Sequence, residues 1–184
     1  MQQRGAVIWM VGLSGSGKTT LANALDRHLY DQGYLSTVLD GDNVRNGLNQ
    51  NLGFSDEDRE ENIRRVAEVS ALFVRAGVIV INAFITPRES YREQVRARLG
   101  EDLLEVYVRC SWEACAERDV KGLYAKVRAG EVKQFTGKDS SFEEPASPHL
   151  VLDTEHETQA QSLEKLIAAV LTRVQAPAAV PRET

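Results

Sequence analysis

The chain has 184 residues, of which 42% are hydrophobic, and this length fits one domain around a single buried core. Its net charge of −5 argues against a nucleic-acid-binding protein, because counterion release from phosphates requires a basic surface. Its two cysteines, Cys110 and Cys115, lack metal-ligand spacing, and no signal peptide or membrane-length apolar run is visible, so we expect a reduced cytoplasmic protein that binds no membrane.

Short β-branched runs alternate with longer helical patterns along the chain. This alternation is typical of βαβ units, in which helices cover both faces of a parallel sheet. We therefore expect an α/β fold, a three-layer sandwich of the P-loop NTPase type with a central parallel five-stranded sheet. Strands are predicted near 6–11, 37–39, 78–82, 104–108 and 150–152, and helices near 18–32, 55–76, 88–99, 111–118 and 159–174.

A glycine-rich sequence that fits the phosphate-binding pattern G-x-x-x-x-G-K-[ST] directly follows the first predicted strand. Glycines allow consecutive backbone N–H groups to turn towards phosphate oxygens, and the following helix presents its positive end. Lys18 is expected to reach the β- and γ-phosphates of ATP, and Thr19 to bind Mg²⁺. The predicted ATP-binding residues of this loop are Gly12, Leu13, Ser14, Gly15, Ser16, Gly17, Lys18 and Thr19.

Two carboxylates, Asp40 and Asp42, follow the second predicted strand with a glycine between them. Ligands of open α/β sheets bind beyond the carboxyl ends of the strands, so this pair is expected to face the phosphates. Asp42 is the candidate to accept the proton of an acceptor hydroxyl or to orient Mg²⁺, and a turn without chemistry is the alternative. No acidic residue ends the third predicted strand, so this role falls to Asp42.

The helix predicted near 55–76 carries an arginine on its buried side. At 100° per residue, Arg59 continues the apolar stripe towards the helix start, and Asn62 lies at the edge of that stripe. Arg59 and Arg45 are predicted to bind an anionic acceptor, because a planar guanidinium contacts phosphate or sulfate at two points; a structural salt bridge is the alternative. The predicted stripe is Ile63, Val66, Ser70, Phe73 and Val74, and the predicted solvent-facing residues are Glu60, Glu61, Arg64 and Arg65.

Polar side chains at three helix starts resemble the capping box. Thr86 is interpreted in this way, as the N-cap of the third predicted helix, near 88–99. Phe84, at the end of the third predicted strand, either offers a face to a purine or packs in the core. The three pairs are Ser55 with Asp58, Thr86 with Glu89, and Thr158 with Gln161.

Two polar stretches, 41–53 and 120–148, interrupt the alternation. Segments of this length are usually functional loops or lids. The second is predicted to be a lid that excludes water during phosphoryl transfer, and an idle surface insertion is the alternative. We expect one domain over 1–175 and a flexible tail over 176–184. The basic and aromatic residues suited to closing over a nucleotide are Lys121, Tyr124, Lys126, Arg128, Lys133, Phe135 and Lys138.

Most of the chain, from about residue 5 to 153, resembles adenylylsulfate kinase, the enzyme that phosphorylates the ribose 3′-hydroxyl of adenosine 5′-phosphosulfate (APS) with ATP. The phosphate loop alone is shared with many kinases, whereas the middle segments and the lid sequence are specific to this family. The matching segments are 12–20, 40–45, 47–49, 52–55, 58–65, 84–87, 118–119, 121–124, 128–133 and 135–137.

The resemblance implies a role for individual residues. Asp42 would lie near the 3′-hydroxyl and the metal, and Lys121 would order the lid over the acceptor. The implied ATP-binding residues beyond the loop pattern are Thr20 and Arg118. The implied acceptor-binding residues are Arg45, Arg59 and Asn62 for the phosphosulfate, Phe54, Ile85 and Thr86 for the pocket, and Phe84 and Phe135 for the adenine.

Three positions depart from the family pattern, which commonly has serine at Thr86, glycine at Gln134 and isoleucine at Lys138. The predicted reaction is Mg²⁺-dependent transfer of the ATP γ-phosphoryl group to APS. A P-loop kinase for another small hydroxylated acceptor and a non-catalytic ATP-binding regulatory subunit remain the alternatives. A homodimer and an ATP sulfurylase partner are also left open.

Overall fold

The computed structural model describes residues 3–119, 122–128, 136 and 142–175. Strands and helices alternate along these ranges, and a short 3₁₀ helix, Gly100–Asp102, precedes the fourth strand. The strands are β1 (Ala6–Val11), β2 (Ser36–Asp40), β3 (Ile79–Ala83), β4 (Leu103–Arg109) and β5 (Leu150–Asp153). The helices are α1 (Lys18–Asp31), α2 (Gly41–Arg45), α3 (Asp56–Arg75), α4 (Glu89–Leu99), α5 (Trp112–Arg118), α6 (Leu123–Arg128) and α7 (Gln159–Val174).

The five strands form one sheet in the order β2-β3-β1-β4-β5, and every pair is parallel. Both faces of β1 are buried, as its uninterrupted apolar sequence requires. One set of its side chains, including Ile8 and Met10, packs with α1 and α7. The alternate set, including Trp9 and Val11, packs with α3 and α4. The structure thus confirms the predicted three-layer fold.

Two short helices, α2 and α6, lie in the stretches that were predicted without regular structure. Each is fixed by a carboxylate at its start. The Asp40 side chain accepts a hydrogen bond from the Asn43 backbone at 2.8 Å, and the Asp40 backbone N–H donates to the Asn43 side-chain oxygen at 3.1 Å. The Asp119 carboxylate accepts from the backbone of Tyr124 and Ala125, both at 2.9 Å. Helices of one or two turns show too little periodicity to be recognised from hydrophobic pattern.

The predicted helix caps differ in outcome. Thr158 and Gln161 form the full capping box, whereas Ser55 accepts from the Asp58 backbone without the reciprocal bond. The prediction for Thr86 is wrong, because the N-cap of α4 is Arg88. Thr86 instead has a left-handed φ of 45° and its hydroxyl accepts a hydrogen bond from the Trp9 indole. An N-cap needs an extended backbone, which this φ excludes.

Near the carboxyl end of α3, the residues that are buried differ from those of the predicted apolar stripe. Ile63, Val66 and Ser70 are buried as expected, but Phe73 is 39% exposed and the prediction for it is wrong. Ala67 and Ala71 occupy the helix face against the sheet instead, because small side chains allow close packing there. Within the described residues, no helix is long and apolar enough to cross a membrane.

Candidate active site

The glycine-rich loop after β1 is held in place by close backbone packing. A Cβ atom on Gly12 would lie 2.5 Å from the Val108 carbonyl oxygen, so no other residue fits there without moving β4. Gly17 has a φ of 100° and forms the N-cap of α1, a conformation that favours glycine. The loop therefore leads directly into the start of α1, so its backbone N–H groups lie next to the positive end of that helix, as an anion-binding loop requires.

Lys18 lies inside the curve of this loop. Its side chain is 7% exposed, and the ammonium donates to the carbonyl oxygens of Gly12 at 2.9 Å and Leu13 at 2.6 Å. Thr19 is half-buried and Thr20 is exposed in the first turn of α1. The charged end of Lys18 is thus placed where the phosphates of a nucleotide would lie against the loop.

Two neighbours that the motif did not predict support the loop from outside. Thr154, directly after β5, donates from its hydroxyl to the Ser16 carbonyl at 2.8 Å and itself receives hydrogen bonds from Arg118. Tyr124 of α6 donates to the Ser14 carbonyl at 2.7 Å, and burial raises the pKa of its hydroxyl, which keeps the proton. Both contacts join residues more than one hundred positions apart, so local sequence patterns give no sign of them.

The carboxyl end of β2 lies two strands from the loop. Asp40 is opposite Ala83 of β3, and Ala83 is opposite Met10 of β1. With one strand between them, β2 and β1 are separated by about 10 Å. Asp40 uses its side chain to cap α2, whereas Asp42 is exposed in the first turn of that helix. Of the two predicted carboxylates, Asp42 therefore remains the candidate for chemistry.

Two arginines lie together beyond the same edge of the sheet. Arg45, at the end of α2, donates to the Gly53 carbonyl at 2.8 Å and covers the Phe54 ring at 4.4 Å from its centroid. Arg59, in the first turns of α3, donates to the Phe54 carbonyl at 3.0 Å. Burial lowers the pKa of the Arg45 guanidinium, the nearby charge of Arg59 lowers it further, and Asp58 opposes both. An anion between the two guanidinium groups would relieve their repulsion.

The side chains around these arginines are of two kinds. Phe54 is 63% exposed, which is unusual for an aromatic ring and leaves a face open to a planar ligand. Asn62 is buried, one helical turn from Arg59, and its carbonyl oxygen accepts from Asn49 at 2.9 Å. Arg65, predicted to face solvent, is only 27% exposed and donates to Asn51 at 2.8 Å. The acceptor side therefore has its own polar network.

The loop after β3 connects the two sides of the site. The Ile85 carbonyl accepts from the Gly12 backbone at 3.4 Å, and the Thr86 carbonyl accepts from Arg92, a fully buried arginine, at 2.8 Å. Phe84 is 4% exposed and tilts against Trp9 with the ring centroids 5.8 Å apart, so little of its ring surface is open to a purine. This position corresponds to the core alternative for Phe84.

Part of the predicted lid lies outside the described residues, including Lys121, Lys133, Gln134, Phe135 and Lys138. Within that region Thr136 is described, and its hydroxyl accepts from Arg59 at 2.5 Å. Thr136 thus contacts the first turns of α3.

The two thiols lie in a small core cluster with Tyr124 and Leu13. Burial raises the pKa of the Cys115 thiol to about 12, and its contact with Cys110 adds to this shift. The Cys115 thiolate is therefore disfavoured at neutral pH, which fits the predicted packing role. Among the described residues, no group of His, Cys, Asp and Glu has the makeup of a metal centre.

Comparisons with known proteins identify the family of this chain. Residues 4–153 match the family model described as adenylylsulphate kinase. The chain is 60% identical over 154 residues to the adenylyl-sulfate kinase of Bacillus licheniformis, which covers 83% of this chain and 78% of that protein. It is 54% identical over 166 residues to the probable adenylyl-sulfate kinase of Halalkalibacterium halodurans, covering 90% and 82% of the two chains.

Among solved structures, the fold matches that of the Mycobacterium tuberculosis APS kinase CysC in complex with AMPPNP and APS. The TM-score is 0.85 at 42% sequence identity, with 91% of this chain and 98% of that chain covered. On the evidence of the family model, the close relatives and the matching structure, the chain belongs to the adenylylsulphate kinase family.

Proposed function

We propose that this protein transfers the γ-phosphoryl group of ATP to the 3′-hydroxyl of APS and forms 3′-phosphoadenosine 5′-phosphosulfate. The observation that supports the proposal is that the phosphate loop and a pair of arginines both follow the carboxyl ends of neighbouring parts of one parallel sheet. The phosphate loop follows β1, and the Arg45 and Arg59 guanidinium groups lie beyond β2 and at the start of α3. A donor triphosphate at the loop and a second anionic substrate at the arginines would thereby both come near the end of β2, where Asp42 follows.

The glycine-rich loop and Lys18 would bind the triphosphate. Backbone N–H groups at the start of α1 supply positive partial charge, and the buried ammonium of Lys18 neutralises the charge that develops on the transferred group. Arg118 and Thr154 would act at the nucleotide end, because Thr154 donates to the Ser16 carbonyl and Arg118 donates to Thr154. Phosphoryl transfer depends mainly on this positioning and charge neutralisation.

Asp42 would accept the proton of the 3′-hydroxyl. In the balanced step, the 3′-oxygen forms a bond to the γ-phosphorus while the bond to the β–γ bridging oxygen breaks. ADP leaves with the electron pair of that broken bond, and the hydroxyl proton passes to the Asp42 carboxylate. No phosphorylated enzyme is needed in this reaction.

Arg45, Arg59 and Asn62 would hold the phosphosulfate of APS. The two guanidinium groups offer paired N–H donors, and the pKa lowering of Arg45 by Arg59 reflects the positive potential between them. The exposed Phe54 ring, together with Ile85, Thr86 and the predicted Phe135, would line the acceptor pocket. Phosphate and sulfate oxygens are chemically similar, so the mixed anhydride suits this donor set.

Mg²⁺ is the metal that such a kinase requires. The Thr19 hydroxyl and the Asp42 carboxylate would hold the ion, because hard oxygen ligands are the donor chemistry that Mg²⁺ prefers. When bound, the ion would neutralise the β- and γ-phosphate oxygens. The cytoplasmic location, a homodimer and an ATP sulfurylase partner stay predictions.

The test is direct assay of the purified protein with Mg²⁺, ATP and APS. We expect ADP and a 3′-phosphorylated sulfonucleotide in equal amounts, identified by mass spectrometry. AMP, gluconate and adenosine serve as alternative acceptors, and in the presence of ADP only APS should add clearly to thermal stability, by about 2.7 kcal/mol at 100 times its Kd. Absence of the sulfonucleotide product, or faster turnover with another acceptor, would refute the proposed function.

A further inference from the structure

A fully buried asparagine lies behind the acceptor side of the site. Asn49 is 0% exposed, and its backbone N–H donates to the Val44 carbonyl at 2.9 Å while its own carbonyl accepts from Leu52 at 3.0 Å. Its side chain touches two polar groups of α3, Arg65 and Asn62. The backbone and both ends of the side chain are thus fixed, and this residue is not used in the reaction proposed above.

Arg65 determines which atoms donate and which accept in the hydrogen bonds that join Arg65, Asn49 and Asn62. A guanidinium can only donate hydrogen bonds, so the oxygen of the Asn49 amide must face the Arg65 Nη1 atom, 3.5 Å away. The nitrogen of Asn49 then faces Asn62 and donates to its Oδ1 atom at 2.9 Å. With its oxygen engaged, Asn62 can present only its –NH₂ group on the other side.

The Asn62 nitrogen is the open end of this chain. It donates to no group that the structure describes. Within the described ranges, the buried polar side-chain atoms without a partner are Asn82 Oδ1 and Arg92 Nη2, so the Asn62 nitrogen keeps contact with solvent. Asn62 lies one turn after Arg59 on α3, and residues three apart on a helix share a face. The nitrogen therefore lies on the side of α3 that carries the anion-binding arginine.

We propose that Asn49 and Arg65 are positioning residues that hold the Asn62 amide with its –NH₂ group towards the anionic acceptor. The relay runs from Arg65 to Asn49 to Asn62, and each member donates to the next. This inference rests on the proposed function, since it takes the phosphosulfate of APS as the group that receives the last hydrogen bond. Because the relay begins on a cation, Asn62 presents an N–H donor to the substrate and never an oxygen lone pair. The site therefore favours an anionic substrate.

Reversing one hydrogen bond tests the relay. In Asn49→Asp the new carboxylate can only accept, so the Asn62 amide must turn its nitrogen inward and its oxygen towards the acceptor anion. We expect the KM for APS to rise about tenfold or more, the loss typical of a hydrogen bond to a charged group, with the KM for ATP within about twofold. An unchanged KM for APS in this variant would overturn the proposal.

Asn51→Asp is the matched control. Asn51 accepts from the same Arg65 Nη1 atom at 2.8 Å, is exposed, and the structure gives it no contact with Asn62, so the substitution adds the same charge without reversing the relay. Both KM values should stay within about twofold of wild type. An equal rise in the KM for APS would show that charge alone acts, and would overturn the proposal.

A double variant separates the relay from any other effect of Asn49. In an Asn62→Ala background there is no amide to turn, so Asn49→Asp should change the KM for APS by less than about twofold. A further tenfold rise there would contradict the relay. If Asn49→Asp does not fold, Arg65→Leu takes its place, with a several-fold rise in the KM for APS that Arg65→Lys, another obligate donor, largely restores. No rise in Arg65→Leu would also overturn the proposal.

The two proposals fail in different ways. If the wild-type protein forms no product from APS, the proposed function fails before any variant is compared. If wild type turns over APS and Asn49→Asp behaves like it, only the relay fails.

Discussion

The ATP side and the acceptor side of this site are built by different means. On the ATP side, backbone geometry does the positioning: Gly12 packs against the β4 backbone, Gly17 starts α1 with a left-handed φ, and Lys18 is buried against loop carbonyls. On the acceptor side, long side chains do the positioning. Arg45 lies on the short helix α2 and Arg59 at the start of α3, both beside the exposed Phe54 ring.

The difference teaches how each side tolerates change. This phosphate loop has little freedom, because Gly12 packs directly on β4 and Gly17 has a φ that favours glycine, so a change there should impair all reactions of the protein. Side chains on the acceptor side are held by hydrogen bonds to one another and to loop carbonyls. Changes there should alter APS binding while ATP binding is kept, and the predictions below use this contrast.

The largest effect is expected at Asp42, the candidate proton acceptor. Asp42→Asn removes the carboxylate that would accept the hydroxyl proton, and kcat should fall by about 10²- to 10⁴-fold while ADP binding is kept. Asp40→Asn is the control at the N-cap of the same helix, because asparagine caps a helix as well as aspartate does. Steady-state kinetics and calorimetric ADP titration measure both, and near-normal turnover in Asp42→Asn would contradict its role.

A somewhat smaller loss is expected at Lys18 on the ATP side. Lys18→Met keeps the length of the side chain and removes the charge that would stabilise the transferred phosphoryl group, so kcat should fall by about 10²- to 10³-fold. Lys165→Met is the control, because that lysine is 52% exposed and pairs with Glu157 on the surface. If Lys18→Met affects the KM for APS alone, the assignment of the ATP side is wrong.

The same contrast explains what the sequence predicted well. The loop pattern and the strand before it are local, and the structure confirms both, with β1 and α7 at the predicted bounds. Strand ends and helix periodicity alone indicate Asp42, Arg45 and Arg59 as candidates. The structure places the two arginines close enough for one to lower the pKa of the other.

What the sequence could not predict depends on contacts between distant residues. Thr154 reaches the phosphate loop across 138 positions, and Tyr124 across 110. Thr86 follows a strand and precedes a proline, a pattern typical of an N-cap, yet the Trp9 indole and buried Arg92 hold it in a left-handed conformation. A β-branched residue adopts this φ only where tertiary contacts impose it, and no local pattern encodes them.

On the acceptor side, Arg59→Ala should raise the KM for APS by about 10- to 100-fold, because each hydrogen bond to a charged group contributes roughly 1.5–3 kcal/mol. The KM for ATP should change less than about threefold. Arg64→Ala is the control on the same helix, since that side chain is 55% exposed and pairs with Glu61. Equal rises in both KM values for Arg59→Ala would remove the distinction between the two sides.

The smallest effect is expected in acid, at the edge of the ATP side. Burial tends to raise the pKa of Asp153, but hydrogen bonds from Arg109 at 2.7 Å and His156 at 3.1 Å outweigh it and lower the pKa from 3.8 to about 2. A lowered pKa stabilises the fold above the unfolded-state value, and this contribution is lost as the pH falls from about 4 to about 2.

Asp153→Asn should therefore flatten the decline in the free energy of unfolding across that window, as measured by urea denaturation at a series of pH values. Arg109→Gln should flatten it in the same way, because it removes the other half of the pair. Neither variant touches the acceptor side, so the KM for APS at neutral pH should stay at the wild-type value. A wild-type slope in both variants would show that this ion pair, which directly precedes Thr154, contributes nothing to holding the end of β5.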